Sequence, residues 1–363
     1  MRVLRDTRGA VPSATAGLVF VAGGSTPTRQ VIEQLRTLWK GVPTVVVPGA
    51  GVLHERAEVE GSAAASGLLW SQGKATPFAV SEPGDDAVAL GESIGQSFGP
   101  KATTAIVFHH AETFDPDTLG GIAATSPTTH VFGAGTVGKP ASLINTDGTV
   151  LDAPAVGLAL SGMARPIVAT SGACRLLSTL EPIEEVSGGL VLRIGDQRAL
   201  DVLSRCTVDK PSGQEPPPVV FAALADPNDA TTDGRTRYFV RPIRGIDTSR
   251  RGIMVGDEAR PGMRMAFAVR DPSAARLELD TTARFVTQNM LGSAPNFGIY
   301  LTCAGRGQNL YGAHDVEVRI LRQRFGDLPI AGMHSAFEIS PQDKRPPRLE
   351  LYTSVLALFR TLS

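Results

Sequence analysis

The chain is short of cysteine, aromatic residues and long apolar runs. Its 363 residues include only 3 Cys, 2 Trp and 4 Tyr, and Cys174, Cys206 and Cys303 form no CxxC pair. Such spacing argues against a structural zinc site or a disulfide framework. No run approaches the roughly 18 apolar residues of a membrane span, and no apolar signal region follows the first residues. These absences predict a reduced, soluble, cytoplasmic protein without a metal site.

The chain also lacks a strong net charge. The formal net charge is −1, yet residues 235–363 hold 19 Lys and Arg against 12 Asp and Glu. A basic half favours an anionic ligand or partner, although attraction between the two halves explains the asymmetry more simply. Because the basic residues are spread out and have few aromatic neighbours, nucleic-acid binding is not predicted.

Glycine and proline are abundant, with 39 Gly and 26 Pro. They follow no G-X-Y period, so they predict many turns between short strands and disfavour a helical bundle. The prolines are densest in residues 209–218, which cannot form regular structure because proline lacks a backbone donor. This stretch is either an interdomain linker or a long surface loop.

One sequence unit recurs three times: an apolar strand, a helix, a second strand near glycines, an irregular segment and a third strand. A strand, a crossover helix and the next strand predict parallel pairing. We therefore predict a mixed α/β (α+β) fold of layered sheets and packed helices, in two domains. The first strands are predicted at residues 17–22, 105–109 and 297–303, the second at 44–51, 130–135 and 328–332, the third at 65–70, 155–160 and 349–359, and helices at 28–40 and 314–325.

The segment from Gly133 to Lys139 matches two phosphate-binding patterns, GxGxxG and GxxxxGK. A dinucleotide site requires a helix after the last glycine, but the sequence continues as a loop. A P-loop requires Ser or Thr after the lysine, and Pro140 stands there. The glycines are therefore better explained by a tight path beside a packed sheet.

The histidines give weak signals. His109 and His110 are adjacent, so in a strand they point to opposite faces and cannot readily bind one metal. The remaining histidines are isolated in sequence, and any one of them could be an axial haem ligand. No metal site is predicted from them.

Polar side chains beside predicted strands are the candidate ligand-binding residues. Cys303 ends a strand and precedes a glycine-rich turn with Arg306, which could present a cation to a carboxylate. Arg270 follows another strand, and Glu338 lies beyond the last glycine-ended strand. We predict that Arg270 and Arg306 hold a carboxylate, that Glu338 holds an amine and that Cys303 lines the site.

These segments resemble the FIST family (F-box and intracellular signal transduction domains). The similarity is strongest in residues 297–307 (FGIYLTCAGRG), 325–339 (FGDLPIAGMHSAFEI) and 351–359 (LYTSVLALF). Residues 261–271 also resemble a family strand that ends in Arg-Asp. The resemblance implies an N-terminal FIST-like domain at residues 1–196 and a C-terminal one at 197–363, with the Pro-rich stretch as a loop inside the second.

Membership implies a sensory role in signal transduction. Such domains are proposed to bind small molecules such as amino acids, and they act with histidine kinases or chemoreceptors. We therefore expect a stand-alone bacterial sensor, not an enzyme, that signals through a separate partner protein.

Two alternatives remain open. Some members resemble haem-dependent nitric-oxide sensors. For this chain, a haem-sensor role requires a histidine facing an apolar cavity. The other alternative is an enzyme with Cys303 as nucleophile, which requires an accessible thiol with a lowered pKa.

Overall fold

A computed structural model describes residues 13–71, 73–81, 86–208, 219–227, 237–256, 258–290 and 294–360. The described residues form many short strands and few helices, as the glycine and proline content predicts. The Pro-rich stretch 209–218 lies outside the described residues, so its two interpretations stay open.

Strands outnumber helices in the described ranges, and several strands commonly follow one another without a helix between them. The helices are α1 (Ser25–Leu38), α2 (Ala87–Ser97), α3 (Asp117–Thr125), α4 (Ala199–Val208), α5 (Pro272–Gln288), α6 (Gly307–Tyr311) and α7 (Val316–Phe325). The strands are β1 (Ala16–Ala22), β2 (Thr44–Pro48), β3 (Gly51–His54), β4 (Ala57–Glu60), β5 (Ala64–Trp70), β6 (Lys74–Val80), β7 (Thr104–His110), β8 (His130–Thr136), β9 (Ala141–Ile144), β10 (Val150–Ala153), β11 (Ala155–Ser161), β12 (Ile167–Gly172), β13 (Cys174–Leu176), β14 (Glu181–Ser187), β15 (Leu190–Ile194), β16 (Gln197–Arg198), β17 (Val220–Ala225), β18 (Phe239–Pro242), β19 (Gly245–Asp247), β20 (Gly252–Met254), β21 (Arg264–Arg270), β22 (Phe297–Cys303), β23 (Ile330–Ser335), β24 (Glu338–Gln342), β25 (Arg345–Glu350) and β26 (Thr353–Phe359).

The chain divides into two compact units. The first takes the residues up to Ser171 together with those from Arg276 onward, and the second runs from Gly172 to Ala275. The first unit thus draws on both sides of the predicted boundary at 196–197, which itself stays a prediction. The mixed α/β fold class with several layered sheets is confirmed.

The first unit contains the three predicted repeats. In each repeat the first two strands are parallel (β1 with β2, β7 with β8, β22 with β23). The last strand then returns antiparallel to the first (β5 to β1, β11 to β7, β26 to β22). The predicted parallel pairing is therefore confirmed, whereas the segment predicted to be irregular in each repeat is a β-hairpin.

Each of these hairpins pairs with the sheet of a different repeat. The first repeat's hairpin, β3–β4, adds to β23 of the third repeat. The second repeat's hairpin, β9–β10, adds to β2 of the first. The third repeat's hairpin, β24–β25, adds to β8 of the second. The exchange is cyclic, so no repeat completes its sheet alone.

Three equivalent backbone hydrogen bonds join the repeats where the second strands end. Ala50 N–H donates to the carbonyl of His334 (2.9 Å), Ala336 N–H to that of Gly135 (3.1 Å) and Val137 N–H to that of Pro48 (3.0 Å). His334, Gly135 and Pro48 pair with the sixth residues of β22, β7 and β1 respectively, so they occupy one position of the repeat.

The first strands of the repeats are buried on both faces, which explains their continuous apolar sequence. One face of each contributes to a shared central core, and the other packs against helices of its own layer. The central core includes Leu18, Phe20, Ile106, Phe108, Ile299 and Leu301 from these three strands. The core thus lies between three sheets whose outer faces carry α1, α2 with α3, and α5 with α7.

The second unit is built around a sheet of nine strands. Its apolar face packs on α4, which contributes Ala199 and Leu203 to the core of this unit. Residues 239–242 and 264–270 form strands here.

The glycines of the GxGxxG segment have a packing role. Gly133 and Gly135 lie inside β8, and strand β9 rather than a helix follows the segment. A Cβ on Gly133 would lie 1.8 Å from the Val107 carbonyl oxygen, and one on Gly135 would lie 2.4 Å from the Phe337 ring. The segment therefore lacks the helix N-terminus that a dinucleotide needs, and its glycines permit close strand packing.

Candidate functional site

Polar residues gather where β22 and β23 end. Cys303 and Ser335 are the last residues of these two parallel strands, and Ala304 N–H donates to the Ser335 carbonyl at 2.7 Å. Hairpin β3–β4 lies beside β23. Carboxyl ends of parallel strands are a common place for binding sites in α/β proteins. We call this region the strand-end site.

A buried ion pair forms the centre of the strand-end site. Arg306 and Glu317 are 1% and 0% exposed, and Arg306 Nε donates to Glu317 Oε1 at 2.6 Å. Tyr311 donates to the same oxygen at 2.7 Å, and Tyr300 and Thr302 donate to Oε2, each at 2.9 Å. Burial alone would raise the pKa of Glu317, but the charge of Arg306 and the hydrogen bonds from Tyr311 and Arg306 lower it. The carboxylate is therefore ionised and fully hydrogen-bonded inside the protein.

The other two guanidinium nitrogens of Arg306 also make hydrogen bonds. Nη1 donates to the Ser171 carbonyl at 2.7 Å, and Nη2 contacts the Tyr311 hydroxyl at 3.4 Å. The carboxylate that Arg306 binds in this structure is that of Glu317. A role for Arg306 in holding a ligand carboxylate stays a prediction, and it requires the ligand to compete with an internal partner.

Cys303 and Glu338 form a second group near the same strand ends. Ser335 Oγ donates to Glu338 Oε1 at 2.7 Å, and Glu338 is 0% exposed. Burial raises the pKa of Glu338 well above its usual value, so the carboxyl group is neutral. Burial, followed by the nearby Glu338, raises the pKa of the Cys303 thiol to about 11. A buried, protonated thiol is a poor nucleophile. This argues against the alternative in which Cys303 is the nucleophile of an enzyme.

A third group combines Glu58 and Glu60 of β4 with His334 of β23. One ligand atom from each of these three side chains lies within 4.8 Å of the others. Burial, then Glu317, raises the pKa of Glu58 to about 7. Burial also lowers the pKa of His334, so its imidazole is neutral. Neither ring nitrogen of His334 makes a hydrogen bond of normal geometry within the described residues, although the Cys303 backbone lies near the ring.

Arg270 is in a different compact unit from the other three predicted site residues. It ends β21 in the second unit, opposite Cys174. Its neighbour Asp271 caps α5 by accepting from the backbone N–H groups of Ser273 (2.9 Å) and Ala274 (2.8 Å). The structure thus brings Cys303, Arg306 and Glu338 to one region of the first unit, whereas Arg270 belongs to the second unit.

The first unit also has an aromatic pocket at the opposite ends of β22 and β26. Its volume is about 380 Å³, and Phe297 begins β22 while Phe359 ends β26. Trp70 packs edge-to-face on Phe297 with ring centroids 5.5 Å apart. The lining residues are Leu69, Trp70, Ser71, Gly73, Gly162, Met163, Asn296, Phe297, Phe359 and Arg360.

Trp70 lines the aromatic pocket, but its indole N–H is buried. The side chain is 3% exposed, and its indole N–H has no acceptor among the described residues. A buried donor without an acceptor costs about 1–3 kcal/mol. Arg360 lies at the same pocket and donates to the Met290 carbonyl at 3.2 Å through one of its nitrogens.

Sequence reasoning missed most residues of the buried ion pair and of the Glu58, Glu60 and His334 group. Glu317, Tyr300 and Tyr311 complete the ion pair, but the sequence shows them only as parts of a helix and a strand. Glu58 and Glu60 alternate on a short strand, which is a signal for one shared face. Nothing in the sequence links them to His334, because that proximity arises from the exchanged hairpin.

Among the helices of the described ranges, none combines the length and apolarity required to cross a membrane.

Two uncharacterised mycobacterial proteins resemble the chain. One from Mycobacterium bovis is 28% identical over 221 residues, which cover 59% of this chain and 55% of that protein. One from Mycobacterium tuberculosis is 26% identical over 216 residues, with the same coverage. The chain thus spans about half the length of these relatives.

The family comparison covers nearly all of the chain. The FIST N domain matches residues 15–197, and the FIST C domain matches residues 199–341. The resemblance predicted from the sequence motifs is therefore confirmed. The chain belongs to the FIST family, whose domains are associated with signal transduction and the sensing of small ligands.

Proposed function

We propose that this protein is a ligand-binding sensor of a signal-transduction system and that its ligand binds in the aromatic pocket. The observation that carries the proposal is a pocket of about 380 Å³ lined by Trp70, Phe297 and Phe359. Small-molecule sites are concave, mostly apolar cavities of this size range with a few polar groups. Output through a separate partner protein is part of the proposal.

The lining favours one chemical class of ligand. The aromatic rings suit an apolar or aromatic body, while Arg360 suits a carboxylate. The described lining residues include Arg360 but no Asp or Glu that would hold an ammonium group. A small apolar carboxylate therefore fits better than a zwitterionic amino acid.

Haem is less well suited to this pocket. The described lining residues include no histidine to serve as an axial ligand. His130, which lines a different cavity, has room of only about 30 Å³ beside it. Haemin nevertheless belongs in the ligand panel, because a Soret band would identify it directly.

The test is a ligand screen read by intrinsic fluorescence and thermal unfolding. The chain has two tryptophans, Trp39 and Trp70. In the Trp39→Phe variant the emission comes from Trp70 alone, so it reports on the pocket. Aromatic carboxylates, aliphatic carboxylates, amino acids and haemin are titrated. Ligand at 100 times its Kd stabilises by about 2.7 kcal/mol, which raises Tm by a few degrees.

Matched variants locate the site. Arg360→Gln is expected to weaken carboxylate binding at least tenfold, while Arg29→Gln, on the exposed surface of α1, leaves it unchanged. Arg270→Gln tests the sequence-predicted site in the second unit. Binding that responds to Arg270→Gln but not to Arg360→Gln would refute the aromatic pocket as the site. A ligand that raises Tm without altering Trp70 emission would also contradict it.

A further inference from the structure

We propose that Glu58, Glu60 and His334 form a binding site for one divalent transition-metal ion, with Zn²⁺ as the best match. The three side chains offer two carboxylate oxygens and one imidazole nitrogen, all within 4.8 Å of one another. Zn²⁺ accepts this mixture of donors in sites with three protein ligands. This site is distinct from the aromatic pocket and goes beyond the sensor function proposed above.

The His334 ring is the observation that points to a ligand. It is 1% exposed, and neither of its nitrogens makes a hydrogen bond of normal geometry within the described residues, although the Cys303 backbone lies near the ring. Its Nε2 lies 3.8 Å from Glu58 Oε2, which is too long for a hydrogen bond. Two ligand atoms on a tetrahedral zinc ion stand about 3.3 Å apart, given bonds of about 2.0 Å. A small inward movement would therefore place both atoms on one ion.

Both carboxylates are already oriented by backbone donors. Val318 N–H donates to Glu58 Oε1 at 3.0 Å, and this leaves Oε2 on the His334 side. Gln308 N–H donates to Glu60 Oε1 at 2.9 Å. Hydrogen bonds of this kind to ligating side chains hold them in position for a metal.

Two glycines leave the space that the side chains need. A Cβ on Gly307 would lie 2.3 Å from Glu60 Oε1, and one on Gly51 would lie 2.8 Å from His334 Cδ2. Gly307 belongs to the family-like Gly-Arg-Gly turn, and Gly51 begins the exchanged hairpin. A side chain at either glycine would therefore clash with a residue of this cluster.

The charges around the cluster also favour a cation. Glu58 faces the carboxylates of Glu60, Glu317 and Asp315. The nearby cation Arg306 is already paired with Glu317. A divalent ion would offset the remaining negative charge. Buried carboxylates need such compensation, either from a charged partner or from a metal.

Only the third repeat has an imidazole at this junction. The equivalent positions hold Pro48 in the first repeat and Gly135 in the second, neither of which has a ligand side chain. Both carboxylates come from the first repeat's hairpin. A bound metal would therefore fasten this hairpin to the third repeat, with a fourth coordination position left for water or an anion.

The experiment uses the full chain, stripped with a chelator and dialysed. Zn²⁺ is titrated by calorimetry, and Co²⁺ by its visible absorption, which reports a tetrahedral N and O ligand set. We expect one equivalent of metal and a Tm that rises with metal concentration. His334→Gln and Glu60→Gln are each expected to weaken binding about 100-fold or more, because loss of an outer-sphere partner alone costs 10–100-fold.

His314→Gln serves as the matched control, since His314 is exposed and outside the cluster. It is expected to bind metal like the wild type. Circular dichroism of each metal-free variant checks its folding, and half-exposed Glu60 gives a test that does not depend on a core residue. The proposal is refuted if the wild type binds neither Zn²⁺ nor Co²⁺. Binding that survives both His334→Gln and Glu60→Gln would overturn it as well.

Discussion

At the residue scale, the strand-end site is dominated by ionisable groups removed from water. The Glu317 carboxylate accepts four hydrogen bonds from Arg306, Tyr311, Tyr300 and Thr302, so its charge is fully compensated. Glu338 accepts a hydrogen bond from the Ser335 hydroxyl, and burial keeps its carboxyl group protonated. Two buried glutamates of one region thus carry different charges, because only one has a guanidinium hydrogen-bonded to it.

Breaking the Arg306–Glu317 pair from one side is expected to cost about 3–5 kcal/mol of unfolding free energy. Arg306→Met leaves the buried Glu317 carboxylate without its cation, and Glu317→Gln leaves the guanidinium without its anion. The double variant Arg306→Met/Glu317→Gln should lose less than the sum of the two. Urea unfolding measures all three.

An exposed pair supplies the control for this comparison. Arg36 and Glu33 are 3.2 Å apart on α1, with side chains 43% and 62% exposed. Glu33→Gln should cost less than about 1 kcal/mol. Additive losses in the Arg306 and Glu317 double variant would show that the two groups do not act as a pair.

The neutral state of Glu338 has a consequence for pH dependence. Its folded pKa lies above the unfolded value of 4.5, so its stabilising contribution is complete below that value and is lost as pH rises. Glu338→Gln mimics the protonated carboxyl without this loss. We expect the variant to gain stability relative to the wild type as pH rises from about 5 to about 8.

The measurement is urea unfolding of the wild type and Glu338→Gln across this pH range. Glu338→Ala is the comparison, because it removes the hydrogen bond between the Ser335 hydroxyl and Glu338 and is expected to be less stable at every pH. A difference between wild type and Glu338→Gln that does not change with pH would show that Glu338 is ionised in the folded protein.

At the scale of elements, the same strand-helix-strand unit serves three times because its first strand is apolar on both faces. The continuous apolar runs of β1, β7 and β22 made these strands predictable from sequence. The hairpins were not predictable, because their strands are short and partly polar, and β25 contains two prolines. A sequence period also carries no information on which repeat receives a hairpin.

The candidate site shows the same limit. Cys303, Arg306 and Glu338 were found because they follow recognisable strands, and they do share one region. Glu58 and Glu60 reach that region only through the pairing of β3 with β23. Their proximity to His334 joins residues more than 270 positions apart, so no local pattern could predict it.

Alanine substitutions at Gly133 and Gly120 distinguish the cost of overpacking from the gain in helix propensity. Gly133→Ala places a Cβ against the Val107 carbonyl, so we expect a loss of at least about 1–3 kcal/mol from overpacking. Gly120→Ala lies on the exposed side of α3 with no atom within 4 Å of the new Cβ. It is expected to gain about 0.5–1 kcal/mol from helix propensity.

Thermal unfolding of the wild type and both glycine variants, without added nucleotide, measures these changes in stability. If Gly133→Ala were neutral, the close strand packing described for β8 would be wrong. A change in NAD or ATP binding confined to Gly133→Ala would instead restore the phosphate-loop interpretation of this segment.

At the scale of the whole molecule, the two family domains do not coincide with the compact units. The FIST N match ends at residue 197, yet the first unit needs β22 to β26 from the C-terminal part of the chain. A fragment of residues 1–197 would lack the strands that pair with β3 and β8. Such a fragment exposes these strand edges, which favours aggregation.

We therefore expect residues 1–197 alone to show no cooperative thermal transition and to be cleaved rapidly by protease. Co-expression with residues 198–363 is expected to restore a protease-resistant complex, because the exchanged hairpins pair across the two fragments. A fragment 1–197 that unfolds cooperatively by itself would show that the N-terminal family domain is independently stable.

The cyclic exchange of hairpins also sets an order of completion during synthesis. The sheet of the first repeat uses residues only up to Ala153, but the sheet of the second needs β25, which ends at Glu350. At about 5–20 residues per second, the free edge of β8 waits on the order of ten seconds or more for its partner. During that interval the ribosome produces the second unit. The nascent chain therefore has a defined period in which a chaperone, or another copy of itself, competes for this edge.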